Sequence, residues 1–119
     1  MKDNLIVNKT FDFSLLIIKV YTFLIENKEF VLSKQVLRSG TSIGANVEEA
    51  VGAISKKEFT SKMGISLKEA RETRYWLRLL DKSQLVKCSY IKPLKEVEDI
   101  ISILTSIVKT SQESLNKKN

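Results

Sequence analysis

Lys68, Arg71, Tyr75, Arg78 and Lys82 follow one another at intervals of three and four residues, with Lys57 aligned below them and no carboxylate among them. At 100° per residue that spacing draws a single line along a helix, and Glu58, Glu69, Glu72 and Asp81 all fall off it. Like charges stacked this way repel, so the line is mildly destabilising unless an anion meets it. Arginines can grip phosphate oxygens with two parallel hydrogen bonds, and a tyrosine among them offers a face on which an unpaired base can stack. The chemistry open to these residues is recognition of a polyanion such as RNA or DNA. A solvated basic face with no ligand is the plainer alternative. The balance of 20 Lys+Arg against 14 Asp+Glu, a net charge of +6, favours nucleic acid.

Composition removes most other chemistry. The 119 residues include no histidine and one cysteine, Cys88. There is no imidazole base, no Ser-His or Cys-His nucleophile pair, no His-ligated metal and no thiolate cluster. No carboxylate, lysine or hydroxyl group stands in a recognisable catalytic arrangement, so the reading is non-enzymatic, with no cofactor and no metal. Cys88 cannot form an intrachain disulfide and reads as a packing or loop residue.

A second constellation is Arg38-Ser39-Gly40-Thr41-Ser42-Ile43-Gly44-Ala45-Asn46. Glycine inside a helix costs about 1 kcal/mol relative to alanine, so Gly40 and Gly44, four residues apart, call for close approach by a neighbouring helix. A phosphate-binding loop lacks both its strand and its Gly-Lys-Ser/Thr ending. Arg38, Ser42, Ala45 and Glu49 share another face. Folding the next helix back places Glu69 and Glu72 near the level of Arg38, and Lys62 or nearby residues near that of Asn46 and Glu49. The favoured result is a buried or interfacial ladder of ion pairs that fixes register, with a ligand site as the alternative. Trp76, with Ile65 and Leu79, forms a separate apolar strip suited to another helix or another chain.

The elements that must position these residues are helices, because apolar residues recur every three or four positions and period-two alternation is absent. Four are expected, at about 8–27, 34–53, 56–83 and 90–115, with a frayed tail from Asn116 to Asn119. Asn8 and Ser33 mark the first two starts, Gly52 the turn after the second helix, and Ser55-Lys56-Lys57-Glu58 a capping box for the third. Pro93 is tolerated in the first turn of the fourth. Helix one has two apolar faces: Phe13, Leu16, Ile17, Val20, Phe23 and Leu24 on one, and Phe11, Leu15, Ile18, Thr22 and Ile25 on the other. A bundle covers only the first, so the second argues for self-association or a protein partner. In helix two, Val36, Gly40, Ile43, Val47, Ala50 and Ile54 mark the core stripe. Short connections favour antiparallel neighbours, giving one all-α domain over 1–119, an up-down-up-down four-helix bundle. The longest apolar run in helix one, Leu15 to Ile18, is far too short to cross a bilayer and no secretory signal is evident, so the expected location is the cytoplasm, with no membrane partner.

Three blocks carry a family resemblance: Gln35-Val36-Leu37-Arg38-Ser39-Gly40-Thr41-Ser42-Ile43-Gly44-Ala45-Asn46-Val47-Glu48-Glu49-Ala50, then Ser55-Lys56-Lys57-Glu58-Phe59, then Leu67-Lys68-Glu69-Ala70-Arg71-Glu72-Thr73-Arg74-Tyr75-Trp76-Leu77. From about Asn8 to Thr110 the chain resembles the 23S-rRNA intervening-sequence protein family, small bacterial four-helix-bundle proteins often encoded within insertions in ribosomal RNA genes. More distantly it is similar to the accessory protein of diversity-generating retroelements, a basic homopentameric barrel that works with nucleic acid and a reverse transcriptase. The resemblance implies the bundle and a pentameric ring; the retroelement role depends on a genomic neighbour and does not carry over. The expectation is an oligomeric bundle binding RNA or DNA through Lys57, Lys68, Arg71, Tyr75, Arg78 and Lys82. The alternative is a protein-interaction scaffold without a nucleic-acid ligand.

Overall fold

Ile6, Thr10, Phe13, Ile17 and Leu24 lie on one face of the first helix, and all five are buried. The computed structural model describes residues 2–117, and this face runs through α1 (Lys2–Glu26). Helix α1 therefore starts well before Asn8, which is an exposed interior residue and not a cap. The reason is Ile6: its fully buried side chain carries the core stripe one turn further towards the N-terminus. Phe23, expected in the core, is 37% exposed near the helix end.

Lys28 adopts a left-handed backbone, with φ of 64°, just after α1, and the chain turns into α2 (Leu32–Val51). The start of α2 is capped by Glu29: its carboxylate accepts hydrogen bonds from the backbone N–H groups of Val31, Leu32 and Ser33 at 3.2, 3.1 and 2.6 Å. Ser33 lies inside the helix, buried, and its hydroxyl has no hydrogen-bond partner among the described residues. Gly52 follows the last turn as expected, whereas Ile54 lies past the helix and is fully exposed. α3 (Lys56–Ser83) starts at the expected cap, where Ser55 Oγ accepts from the Glu58 N–H at 3.1 Å. Glu58 reaches back to the N–H of Ile54, one residue beyond the usual partner in a capping box. Gln84, also left-handed at φ 49°, ends α3, and α4 (Ile91–Asn116) completes the fold with Pro93 in its first turn. Of the expected frayed tail, Asn116 ends α4, and Lys118 and Asn119 lie outside the described residues.

Each helix packs against two others: α1 and α3 both touch α2 and α4, so α1 and α3 sit on one diagonal. The contacts give the direction. Along α2 and α3, Ser66 Oγ donates to the Ile43 carbonyl at 2.8 Å, and the Thr73 and Ser39 hydroxyls meet at 2.9 Å. Along α3 and α4, Arg74 pairs with Glu98, and Thr60 with Ser111. In both cases residue numbers rise on one helix as they fall on the other. The architecture is an up-down-up-down four-helix bundle about 52 Å long, its core built on Phe13, Ile17, Ile43, Met63, Leu77, Leu80, Ile100 and Leu104. Tyr90 is buried at the start of α4 and donates its hydroxyl to the Val86 carbonyl at 2.7 Å.

The two glycines of α2 face α1. A Cβ on Gly40 would stand 2.7 Å from Ile17 Cγ2, and one on Gly44 would stand 3.2 Å from the Thr10 carbonyl oxygen. The close approach expected from their spacing is the α1–α2 contact.

Candidate nucleic-acid interface

The line on α3 faces solvent, away from the core. Met63, Ala70 and Leu77 are buried on one side of the helix, while Lys57, Lys68, Arg71, Tyr75, Arg78 and Lys82 on the opposite side are all exposed. At 1.5 Å per residue the line from Lys57 to Lys82 is about 37 Å long. Ser61 and Gly64 fill the interval between Lys57 and Lys68 at the same spacing, so no acidic or bulky residue interrupts it. At its lower end Lys57 and Ser61 border an open hollow of about 520 Å³ shared with Gln112 and Asn116 of α4.

Several carboxylates pair with cations off this line. Arg38 pairs with Glu69 at 3.4 Å and with Glu72, and is steadied by Gln35 Oε1 at 3.1 Å. Lys62 pairs with Glu49 at 2.8 Å, Arg74 with Glu98 at 2.7 Å, and Lys9 with Glu96 at 3.5 Å. Hydrogen bonding to Glu49 raises the Lys62 pKa above its ordinary value. Among the described residues none of the five cations on the α3 line has an ion-pair partner. Of the four arginines, Arg38 and Arg74 are neutralised by carboxylates, and Arg71 and Arg78 are left to solvent.

The predicted ladder between α2 and α3 thus forms at both expected rungs, Arg38 with Glu69 and Glu72, and Glu49 with Lys62. It is not buried within the chain: the Arg38 side chain is 49% exposed. Ser42 belongs to the same face but turns its hydroxyl to the Arg38 carbonyl at 2.6 Å.

Sequence reasoning missed how Tyr75 is joined to this ladder. Trp76 Nε1 donates to Glu72 Oε2 at 3.0 Å, and the Trp76 ring meets Tyr75 edge-on with centroids 5.2 Å apart. The chain of contacts therefore runs from Arg38 through Glu72 and Trp76 to Tyr75. The spacing of Glu72 and Trp76, i to i+4 on one helix, is the signal that could have found it. Ile65 and Leu79, at 39% and 38% exposed, continue an apolar margin beside the basic line.

The geometry offers a straight cationic ridge with one aromatic platform flanked by Arg71 four residues before and Arg78 three residues after. Such a surface can hold a phosphate backbone and stack a base.

Among known proteins, the family described as 23S rRNA-intervening sequence protein matches residues 2–106. A crystal structure from Bacteroides thetaiotaomicron VPI-5482, of a protein with unknown function from the S23 ribosomal protein family, is 47% identical. It superposes with a TM-score of 0.87, over 92% of this chain and 99% of that one. No functionally curated protein matches.

Proposed function

The chain belongs to the 23S rRNA-intervening sequence protein family, and from that premise we propose that it is a non-enzymatic, self-associating bundle that binds RNA through the outer line of α3. The observation that carries this reading is the pattern of charge pairing: carboxylates neutralise Arg38, Lys62 and Arg74, while Lys57, Lys68, Arg71, Arg78 and Lys82 form a ridge with no acid on it. A surface needed only for solubility would intersperse the signs. Binding through such a ridge is mainly electrostatic and weakly sequence-specific, with Arg71, Arg78, Lys68 and Lys82 on phosphates and Tyr75 under a base. Self-association is supported by α1, where Phe11, Leu15 and Ile18 are 60%, 49% and 45% exposed. The five-membered ring is carried by the resemblance to the retroelement accessory protein. In the cytoplasm a ring would repeat the ridge around its circumference and multiply its affinity for one long RNA. Among the described residues no helix is long and apolar enough to cross a membrane.

The exposed Ile65 and Leu79 beside Trp76 support a second reading, a scaffold that binds a protein on this strip. Trp76 is the chain's one tryptophan and touches Tyr75, so its emission reports on both. Titration with a stem-loop RNA at low salt is expected to quench Trp76, and Tyr75→Ala is expected to weaken binding by about tenfold, the loss of one stacked base. No response to RNA, with binding to RNA also absent by fluorescence anisotropy, overturns the nucleic-acid reading and leaves the scaffold.

A further inference from the structure

Two apolar surfaces stand apart from the α3 line, and they differ in shape. The first is a ridge on α1, where Phe11, Leu15 and Ile18 project at i, i+4 and i+7, the spacing with which a helix anchors itself in a groove. Asp12 stands exposed beside Phe11 and has no ion-pair partner among the described residues. The second is a groove of about 710 Å³ walled by Leu5, Phe59, Ile103 and Ile107, where the second half of α4 lies beside the starts of α3 and α1. Lys56 lies at its edge, donating to the Ser114 hydroxyl and meeting no carboxylate among the described residues.

We infer that the α1 ridge of one copy seats in the α3–α4 groove of the next, with Asp12 against Lys56, and this assignment rests on the self-association proposed above. Three features fit the pair. Ridge and groove are both apolar, and Asp12 at the Phe11 end of the ridge and Lys56 at the groove edge are of opposite sign and without ion-pair partners among the described residues, with Lys19 at the far, Ile18 end of the ridge. Phe11 to Ile18 spans about 10 Å of helix, and the α4 wall from Ile103 to Ser114 about 17 Å, so the groove has room for the ridge. The ridge is centred on Phe11 to Ile18 and the groove on α3 and α4, with Leu5 of α1 in its wall, so in a heterologous contact each copy offers a ridge to one neighbour and a groove to the other. Contacts of that kind run head to tail and close into a ring when the rotation permits, whereas a two-fold dimer would need one surface to match itself.

Mixing variants tests the polarity of the contact. Leu15→Asp with Ile18→Asp spoils the ridge; Ser106→Arg with Lys56→Glu spoils the groove, and all four positions are already exposed to solvent. Solution mass should give an oligomer for the natural chain and about the 13.6 kDa chain mass for each variant alone. An equimolar mixture should give a dimer and nothing larger, because only one ridge and one groove remain intact. Oligomeric single variants, or a mixture that stays monomeric, overturn the assignment while self-association stands; a monomeric natural chain overturns both. Charge exchange is an independent check that barely disturbs the fold. Asp12→Lys alone should weaken association about fivefold, and adding Lys56→Glu should restore it; failure of the pair to rescue removes Asp12 and Lys56 from the contact.

Discussion

Gly40 and Gly64 are both interior helix positions, and replacing either with alanine brings the same gain in helix propensity, about 1 kcal/mol. Their surroundings differ. An added Cβ at Gly64 meets nothing within 4 Å, so Gly64→Ala should stabilise the protein by most of that amount. At Gly40 the same atom would stand 2.7 and 2.8 Å from Cγ2 and Cγ1 of Ile17, a fully buried side chain. Ile17 is β-branched and held to one favoured rotamer in a helix, so it cannot swing aside and α1 must move outward. Overpacking of this kind costs about 1–3 kcal/mol. Because the propensity gain is common to both, the difference in stability between the two variants measures the clash itself and should be about 1–3 kcal/mol. In a domain of this size each kcal/mol moves Tm by about 4 °C. Thermal and urea melts followed by circular dichroism, at one protein concentration so that assembly contributes equally, give the comparison. A Gly40→Ala variant as stable as Gly64→Ala would refute the reasoning that glycine is present to let α1 and α2 approach.

Glu29→Ala removes the acceptor for three N–H groups at the start of α2 and should cost about 1–2 kcal/mol in the same melts. Arg38→Ala should cost no more than about 1 kcal/mol, since the pair is half-exposed, but freeing Glu72 from Arg38 should shift Trp76 emission. Burial raises the Tyr90 pKa above its ordinary value of about 10, as pairing with Glu49 raises that of Lys62. In each case the unfolded chain loses its proton first. The stability involved is therefore fully present below pH about 10 and is lost as the pH climbs above it. An alkaline titration should show the Tyr90 phenolate absorbance rising together with loss of helicity.

Periodicity made the bundle legible, because each helix buries one face and 100° per residue locates it. The α3 line was readable for the same reason: Lys68 to Lys82 keep the spacing of Ala70 and Leu77, turned to the far side. Asn8 misled because a good capping residue stood where the helix continued, and only the burial of Ile6 reveals that the core extends past it. Ser33 misled in the same way. The cap of α2 is Glu29, whose reach depends on the left-handed turn at Lys28 and not on any local preference. The link from Glu72 through Trp76 to Tyr75 lies between neighbours on one helix, and the emphasis on charge alone passed over it.

The salt dependence of RNA affinity bears most directly on the central claim. With Lys68, Arg71, Arg78 and Lys82 on phosphates, the logarithm of the binding constant should fall against log salt with a slope of about −3 to −4. Arg71→Ala with Arg78→Ala should reduce that slope by about half. Absence of binding at low salt, or a slope that the double substitution leaves unchanged, would contradict the assignment of the α3 line as the RNA-binding surface.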